Sequence, residues 1–442
     1  MMKMRILISW ILFFGSGAVG SFTRRCHPER SRFSGGAKDL PLSQLRASAK
    51  LNSYLLFSFL LCTIPLCRAA DEAAVSVPFT SVPTFSTEKI GRQGHFYIGG
   101  KWVGEPGKEQ MRGAMYVEVW VPKKIRHPYP ILFVQAGGGQ TNIALLQTPD
   151  GRPGWAYDFV NQGYTIYMMD FPGRGRAAYI PALDGQLSGP RTAEHMEEVW
   201  SGGAPPSNPQ REWPQSKKYS QWPSDSPNKG KIGDPVFDYF AKTELGFPMA
   251  DDIETLSADD LVQLVDLIGK PVILLLHSRL ATSGWLLADA RPKLIKGIIA
   301  AEPWGPPIEN MELDAKGPGH IWGPTNFPIH YDPPIKEASE LHTVRQEKAD
   351  APDLDRCWIQ KEPAHKLINL EGIPVLNVSA EASYHRPYAH CMAKWLNQAG
   401  VKTEYVRLED VGLPGNGHQM MSEKNSAGIA KYFMSWLDKN VH

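Results

Sequence analysis

A serine at the end of an apolar run is the first candidate for chemistry. Residues 272–276 are consecutively apolar, as in a parallel strand covered on both faces, and His277 and Ser278 follow at once. Residues 280–290 then read as a helix. A serine on a sharp strand-to-helix turn exposes its hydroxyl, as a nucleophile requires. The G-x-S-x-G signature is absent, because leucines stand two residues before and after the serine, so an ordinary loop serine is the alternative.

A nucleophilic serine needs a base, since its hydroxyl reacts weakly until an imidazole takes the proton. His418 lies in the segment GNGHQMM at residues 415–421, between the last predicted strand and the last predicted helix. In one known chain order of such triads the serine comes first, then the acid, then the histidine. We therefore predict His418 as the base. His277 adjoins the serine, but adjacent side chains on a tight turn diverge, so we interpret it as structural.

The histidine needs a carboxylate that holds its tautomer and stabilises the imidazolium. Glu302 ends the predicted strand at residues 297–303, one strand after the serine. Glu381 follows the predicted strand at residues 373–379. Either position places a carboxylate at a strand end, and the residue types alone leave the choice between them open.

Backbone N–H groups are needed where negative charge develops on the substrate oxygen. The N–H of Arg279, the residue after the serine, is one candidate donor. The glycine run at residues 137–139 follows the third predicted strand and offers a second donor at Gly138. A phosphate-binding loop is the alternative, but the Lys-Ser/Thr pair of such loops is missing. The chain has no metal-binding cysteine spacing, and the expected chemistry requires no cofactor.

Strands and helices alternate along the chain and predict an α/β fold with a mostly parallel central sheet flanked by helices. Two leading strands, then strand–helix units, then insertions after the later strands match the plan of an α/β-hydrolase. The predicted strands are residues 95–100, 115–122, 130–135, 164–170, 272–276, 297–303, 373–379 and 403–408. The predicted helices are residues 154–162, 259–268, 280–290, 387–399 and 425–439.

Two long insertions interrupt this pattern, at about residues 182–234 and 304–370. The first is rich in Pro, Ser, Gly and Trp and has no sustained periodicity. Irregular segments of this length are binding loops, lids or disordered segments. We predict that the first insertion, with Trp200, Trp213 and Trp222, covers the site as a lid and shapes its pocket. A loose surface loop is the alternative.

The first 70 residues resemble export signals rather than a folded domain. Apolar runs at residues 6–19 and 51–67 each follow basic residues, and Arg-Ala-Ala-Asp follows the second. We predict a leader over residues 1–70, a mature domain over residues 71–442, and an exported protein, periplasmic or secreted. A membrane anchor is the alternative, although both runs are short for a spanning helix.

Charge and cysteine content narrow the partners and the compartment. The chain has 442 residues with 47 basic and 46 acidic side chains, a balance that gives no sign of a nucleic-acid partner. Only Cys357 and Cys391 lie outside the predicted leader. In an exported chain they predict one disulfide, with two buried thiols as the alternative.

Three blocks of sequence resemble exported bacterial esterases of the α/β-hydrolase superfamily, in which the acid is a glutamate after the sixth strand. The blocks are TPDGRPGW at residues 148–155 with its continuation to GRGR at residues 173–176, then His-Ser and Glu-Pro at residues 277–278 and 302–303, then residues 373–421 with GNGHQMM. The resemblance implies Ser278 as nucleophile, His418 as base and Glu302 as acid in preference to Glu381. It also implies an oxyanion donor near Gly138.

Together these patterns predict an exported serine hydrolase that cleaves a small carboxylic ester through an acyl-enzyme, with no stable membrane insertion after leader removal. A lactonase or amidase using the same triad is one alternative, since the fold does not fix the substrate. A hydrolase-fold binding protein without catalysis is another, because Leu280 stands where a small residue is expected.

Overall fold

The computed structural model describes residues 83–135, 143–202, 213–311 and 317–442. The predicted leader and Gly138 lie outside these described residues. The leader boundary and the role of Gly138 therefore stay predictions.

Eight strands form one sheet in the order β1-β2-β4-β3-β5-β6-β9-β10. The two leading strands pair antiparallel, the second pairs antiparallel with β4, and the remaining neighbours are parallel. The predicted, mostly parallel sheet is confirmed. The strands are β1 Ile90–Val103, β2 Gln110–Pro122, β3 Ile131–Gln135, β4 Ile166–Asp170, β5 Val272–Ser278, β6 Ile295–Pro303, β7 Thr343–Arg345, β8 Trp358–Gln360, β9 Val375–Ser379 and β10 Thr403–Arg407.

Helices connect β3 to β4, β4 to β5, β5 to β6 and β9 to β10, as expected for parallel connections, and the last helix follows β10. They are α1 Ile143–Leu146, α2 Trp155–Asn161, α3 Ala193–Val199, α4 Pro235–Ala241, α5 Ile253–Ile268, α6 Ala281–Ala290, α7 His390–Gln398 and α8 Ser426–Asn440. In the part of the chain that the structure describes, no helix combines the length and the apolar character needed to cross a membrane.

Side chains of the central strand β5 alternate between two hydrophobic cores, one on each face of the sheet. Leu274 and Leu276 join the core formed with α5, α6 and α7. Ile273 and Leu275 join the core formed with α2 and α8. Both faces of the strand are therefore covered, which explains why its sequence is continuously apolar. Each of these side chains is at most 2% exposed, so each burial stabilises the fold by about 1.5–3 kcal/mol.

The first insertion and helix α4, which directly follows it, share a buried aromatic core that is formed by α3 and α4 with Trp200, Trp213 and Trp222. The three indoles pack inside this cluster and are at most 6% exposed. Trp213 Nε1 donates to the carbonyl oxygen of Ala382, 3.0 Å away, just beyond β9. The insertion is thus anchored, over its described residues, to the carboxyl end of the sheet.

The second insertion carries the short antiparallel pair β7 and β8, and a disulfide fixes it to the domain. Cys357, next to β8, is bonded to Cys391 in α7, with 5.2 Å between the Cα atoms. The predicted disulfide is confirmed.

Candidate active site

Ser278 ends β5 in a strained backbone conformation. Its φ angle is 54°, in the left-handed region that non-glycine residues rarely occupy, and α6 begins three residues later at Ala281. The N–H of Trp304 donates to the carbonyl oxygen of Ser278 at 3.1 Å, which ties the turn to the end of β6. Such strained strand-to-helix turns present a nucleophile in hydrolases.

Leu276 and Leu280, the leucines on either side of Ser278, pack into the hydrophobic core. A Cβ atom on Gly284 in α6 would lie 2.2 Å from Cδ2 of Leu276, so this glycine supplies the space that the turn itself lacks. Leu280 is 2% exposed and packs in the same core as Leu276. The leucines therefore change how the turn is packed, while Ser278 keeps the backbone conformation of a nucleophile turn.

His418 connects the serine to a carboxylate. Its Nε2 lies 3.0 Å from Ser278 Oγ and its Nδ1 lies 2.9 Å from Glu302 Oε2. The loop that carries the histidine lies between β10 and α8. Ser278 is 9% exposed, whereas His418 and Glu302 are almost completely buried. The three residues form one hydrogen-bonded chain at the carboxyl edge of the sheet.

Glu302 also has a positive φ angle, 49°, next to the end of β6. The N–H of Ala380 donates to its Oε1 at 2.7 Å, and the hydroxyl of Ser383 donates to its Oε2. Burial raises the pKa of Glu302, while the donated hydrogen bonds from Ser383 and Ala380 oppose that rise. Donors on both oxygens fix the carboxylate in the plane where it meets His418.

The alternative acid, Glu381, has other partners. Lys218 Nζ lies 2.9 Å from Glu381 Oε1, and the N–H of Gly415 donates to Glu381 Oε2 at 2.9 Å. The carboxylate therefore ties the first insertion to the start of the histidine loop. Of the two candidates, the structure brings Glu302 to His418.

Three further aromatic rings surround His418. His385 stacks on it with 4.6 Å between ring centroids, and the Tyr384 ring lies 5.0 Å away. The His277 ring centroid lies 4.7 Å from that of His418, and its Nε2–H donates to the backbone carbonyl oxygen of His418 at 3.0 Å. Burial, together with the neighbouring imidazoles, lowers the pKa of His277 and of His385 far below the usual value. Burial also lowers the pKa of His418, so its imidazole is neutral at neutral pH.

The sequence prediction missed Tyr384 and His385. They lie three and four residues after Glu381, in the loop that follows β9 at the same sheet edge as Ser278. The available signal was a polar Ser-Tyr-His segment shortly after a buried strand. The interpretation of His277 as structural agrees with its hydrogen bond to the His418 backbone.

The TPDGRPGW segment, residues 148–155, supports the loop that carries His418. Arg152 pairs with Asp150 at 2.6 Å and donates from Nη2 to the carbonyl oxygen of Glu423 at 3.0 Å. The buried Glu423 carboxylate in turn accepts from the N–H of Gly417 at 2.8 Å and from Asn416 Nδ2 at 2.5 Å. Because Gly417 precedes His418, these contacts fix the position of the imidazole.

Two groups of described residues bring metal-type donor atoms together: Glu302, His385 and His418, and Cys357, His390 and Cys391. In the first group, His418 is hydrogen-bonded to Glu302 through Nδ1 and to Ser278 through Nε2. In the second, the two sulfurs are joined in the disulfide. Glu302, His418 and both sulfurs are therefore engaged in other bonds.

A buried Ser–His–carboxylate chain at the carboxyl edge of a mostly parallel sheet, with the serine on a strained turn, defines a serine hydrolase of the α/β-hydrolase class. The chain order of serine, glutamate and histidine is the order of that class.

Comparisons with known proteins agree with this class. The chain is 39% identical over 349 residues to the probable secreted lipase phiG of Fungal sp. (strain ATCC 74256), covering 78% of this chain and 89% of the relative. A solved novel bacterial esterase superposes with a TM-score of 0.55 at 19% identity, covering 82% of this chain and 99% of that one. A solved thermostable esterase from Pseudomonas putida ECU1011 superposes with a TM-score of 0.39 at 12% identity, covering 81% of this chain and 86% of that one. No family model matches the chain.

The chain belongs to the lipase and esterase family of the α/β-hydrolase fold. The predicted fold class and the predicted carboxylic-ester hydrolase activity are confirmed.

Proposed function

We propose that Ser278 is the nucleophile, His418 the general base and Glu302 the acid of this hydrolase. Ser278 Oγ attacks the ester carbonyl carbon while its proton passes to His418 Nε2. Glu302 accepts the hydrogen bond from His418 Nδ1 and stabilises the imidazolium. The N–H groups of Arg279 and Gly138 hold the negative charge on the carbonyl oxygen.

The tetrahedral intermediate then collapses, and His418 gives its proton to the leaving alcohol. Water, deprotonated by the same imidazole, attacks the acyl-enzyme and releases the acid and free Ser278. The observation that carries this proposal is the continuous hydrogen-bonded chain from Ser278 through His418 to Glu302. A neutral, buried base with a fixed tautomer is ready to accept the serine proton.

The test is hydrolysis of a series of 4-nitrophenyl esters, from acetate to palmitate, by the chain from Asp71 onward beside its Ser278→Ala variant. Activity that the variant loses by about three orders of magnitude or more supports the proposal. Equal, negligible rates in both folded proteins contradict it and favour a non-catalytic binding protein. Covalent labelling of Ser278 by an alkyl phosphonate separates the two readings independently. Lactones and anilides in the same assay test the alternative specificities.

We infer further that the protein is exported and that residues 1–70 are its leader. The relative phiG is described as secreted, and a disulfide in the mature domain fits an oxidising compartment. We also propose that the protein is related to the exported bacterial esterases that use a Ser-His-Glu triad. N-terminal sequencing of exported protein tests the leader, and a mature end before residue 50 would contradict it.

The first insertion is proposed to form one wall of the substrate pocket. Its aromatic core includes Tyr384, whose ring faces His418, and Trp213 is hydrogen-bonded next to that segment. Replacing Trp213 with Phe removes the hydrogen bond and keeps most of the packing. A changed preference for acyl chain length in this variant supports the role, and an unchanged preference contradicts it.

A further inference from the structure

Among the described residues, a buried arginine in the GRGR segment has no ion-pair partner that neutralises its charge. Arg174 follows the carboxyl end of β4 and is 4% exposed. Across the described ranges its side chain forms no ion pair, and its Nη1 is fully enclosed without a hydrogen-bond acceptor. Buried charges are normally paired, because enclosing a bare cation is costly.

A second guanidinium lies beside it, on the residue that follows the proposed nucleophile. Arg279 Nε donates to Glu254 Oε1 at 2.8 Å. Cζ of Arg279 lies 4.7 Å from the Phe247 ring centroid and 5.2 Å from that of Trp304, while Cζ of Arg174 lies 5.4 Å from the same Phe247 centroid. Two cations therefore lie against the Phe247 ring, and one of them belongs to the residue that follows Ser278 in the chain.

Among the described residues of this cluster, the cationic side chains outnumber the carboxylates. Arg174 is influenced by one cation, Arg279, and by one carboxylate, Glu254, which already binds Arg279. A third cation, Arg191, lies 5.9 Å from the same Phe247 ring. Burial and the charge of Arg279 lower the pKa of Arg174 to about 10, so it remains a cation at neutral pH. Contact with the ring offsets part of this cost but leaves Nη1 of Arg174 without an acceptor.

We propose that Arg174 and Arg279 form a carboxylate-binding subsite beside Ser278, and that the substrate is an ester that also carries a free carboxylate. This inference rests on the proposed function, since it names the substrate class of the same site. A carboxylate matches the planar fork of a guanidinium and supplies the missing acceptors. The ester carbonyl lies at Ser278 while the free carboxylate lies against the arginines.

The experiment compares two pairs of esters that differ only in a carboxylate or its uncharged amide. On the acyl side the pair is 4-nitrophenyl hydrogen glutarate and 4-nitrophenyl 4-carbamoylbutanoate. On the alcohol side it is 3-acetoxybenzoate and 3-acetoxybenzamide. We expect kcat/KM to favour the carboxylate by about 10-fold or more in at least one pair. Equal values within both pairs would overturn the subsite while leaving ester hydrolysis established.

Variants assign the preference to the arginines. Arg174→Met keeps the length and bulk of the side chain, and the ratio of the two kcat/KM values is expected to fall to near one. Arg174→Lys, which restores the charge without the fork, is expected to recover part of the ratio. Arg92→Met on the exposed part of β1 is the matched control and keeps the full ratio. A preference that persists in a folded Arg174→Met protein would refute the assignment.

Binding to the Ser278→Ala protein separates this subsite from the proposed catalysis. Calorimetric titration with the members of each pair measures affinity without turnover. Tighter binding of the carboxylate member, without hydrolysis by wild type, would support the subsite and contradict the esterase mechanism. Equal affinities within both pairs would refute the subsite whatever the rate of hydrolysis.

Discussion

Glu302 Oε2 lies 2.9 Å from His418 Nδ1, although 116 residues separate the two in the chain. Both groups are buried, and the carboxylate is fixed by donors on both of its oxygens. The Glu302 carboxylate is therefore positioned by β6 and by the segment after β9, and the His418 imidazole by the loop before α8. Three separate elements must close on one another to make this contact.

Replacing Glu302 with Gln is expected to lower kcat for 4-nitrophenyl acetate by about 10³–10⁴-fold. The amide keeps the shape of the carboxylate but neither fixes the productive tautomer of His418 nor stabilises its imidazolium. Steady-state kinetics with circular dichroism as a folding check measures the effect.

Glu381→Gln is the matched control for this prediction, because the same change is made in the other candidate acid. It weakens contacts with Lys218 and Gly415 at the rim of the site, so kcat is expected to fall by less than about 10-fold. If Glu381→Gln proved the more damaging of the two, the assignment of the acid would have to be reversed.

The support of the histidine loop gives a second prediction. Glu423→Ala leaves the Gly417 N–H without its acceptor and removes one acceptor from Asn416, in a fully buried place. We expect the free energy of unfolding to fall by about 2–3 kcal/mol and kcat to fall with it. Urea denaturation and ester hydrolysis measure the two effects.

Glu423→Gln tests whether the support depends on charge. Burial raises the pKa of Glu423 to about 8, so the side chain is largely protonated at neutral pH. A neutral amide that keeps one acceptor oxygen should then behave nearly as wild type at pH 7. A Gln variant as impaired as the Ala variant would show that the ionised carboxylate is needed.

The strand pattern and the order of the site residues were predictable because both leave local marks in the sequence. Buried parallel strands are continuously apolar, as in residues 272–276, and Ser278 and His418 follow predicted strands. Local sequence could not decide between Glu302 and Glu381, because each lies at or just after the end of a predicted strand. It depends on how the segment after β9 folds back on β6, and the residues alone carried no sign of that closure.

The sequence pattern does not predict the two short helices in and directly after the first insertion, for a related reason. Helices α3 and α4 are seven residues each, too short for a clear period and marginal by themselves. They are stabilised by the aromatic cluster around Trp222, whose members come from distant positions. The leucines around Ser278 suggested a crowded turn for a similar reason. The glycine that makes room for Leu276, Gly284, lies in the following helix.

A third prediction concerns the disulfide. Cys357 and Cys391 close a loop with a sequence separation of 34 residues. Restricting the unfolded chain by such a loop stabilises the fold by about 3–4 kcal/mol. The double variant Cys357→Ala, Cys391→Ala is therefore expected to unfold at clearly lower urea concentration. The unfolding midpoint of reduced wild type should match that of the double variant, because neither protein has the disulfide. Reduced and oxidised wild type differ only in this bond. Equal midpoints for oxidised and reduced protein would contradict the prediction.

The last prediction is a pH dependence of stability at Asp260, in α5. Its side chain is 2% exposed, and its Oδ1 lies so close to Gly99 in β1 that a Cβ there would be only 1.7 Å away. Burial raises the pKa of Asp260 to about 8, against about 3.9 in an unfolded chain. The unfolded state thus releases this proton at lower pH than the folded state. The contribution of Asp260 to stability is complete below about pH 4 and is lost as the pH rises toward 8.

Asp260→Asn cannot ionise and should escape this loss. Its free energy of unfolding is expected to exceed that of wild type by about 1 kcal/mol or more at pH 8.5, with a smaller difference at pH 4.5. Asp259→Asn, the exposed neighbour on the same helix, is the control and should stay within about 0.5 kcal/mol of wild type at both values. Urea denaturation at the two pH values measures all three proteins. A difference between Asp260→Asn and wild type that does not grow with pH would mean that Asp260 already ionises in the folded protein near its ordinary pKa.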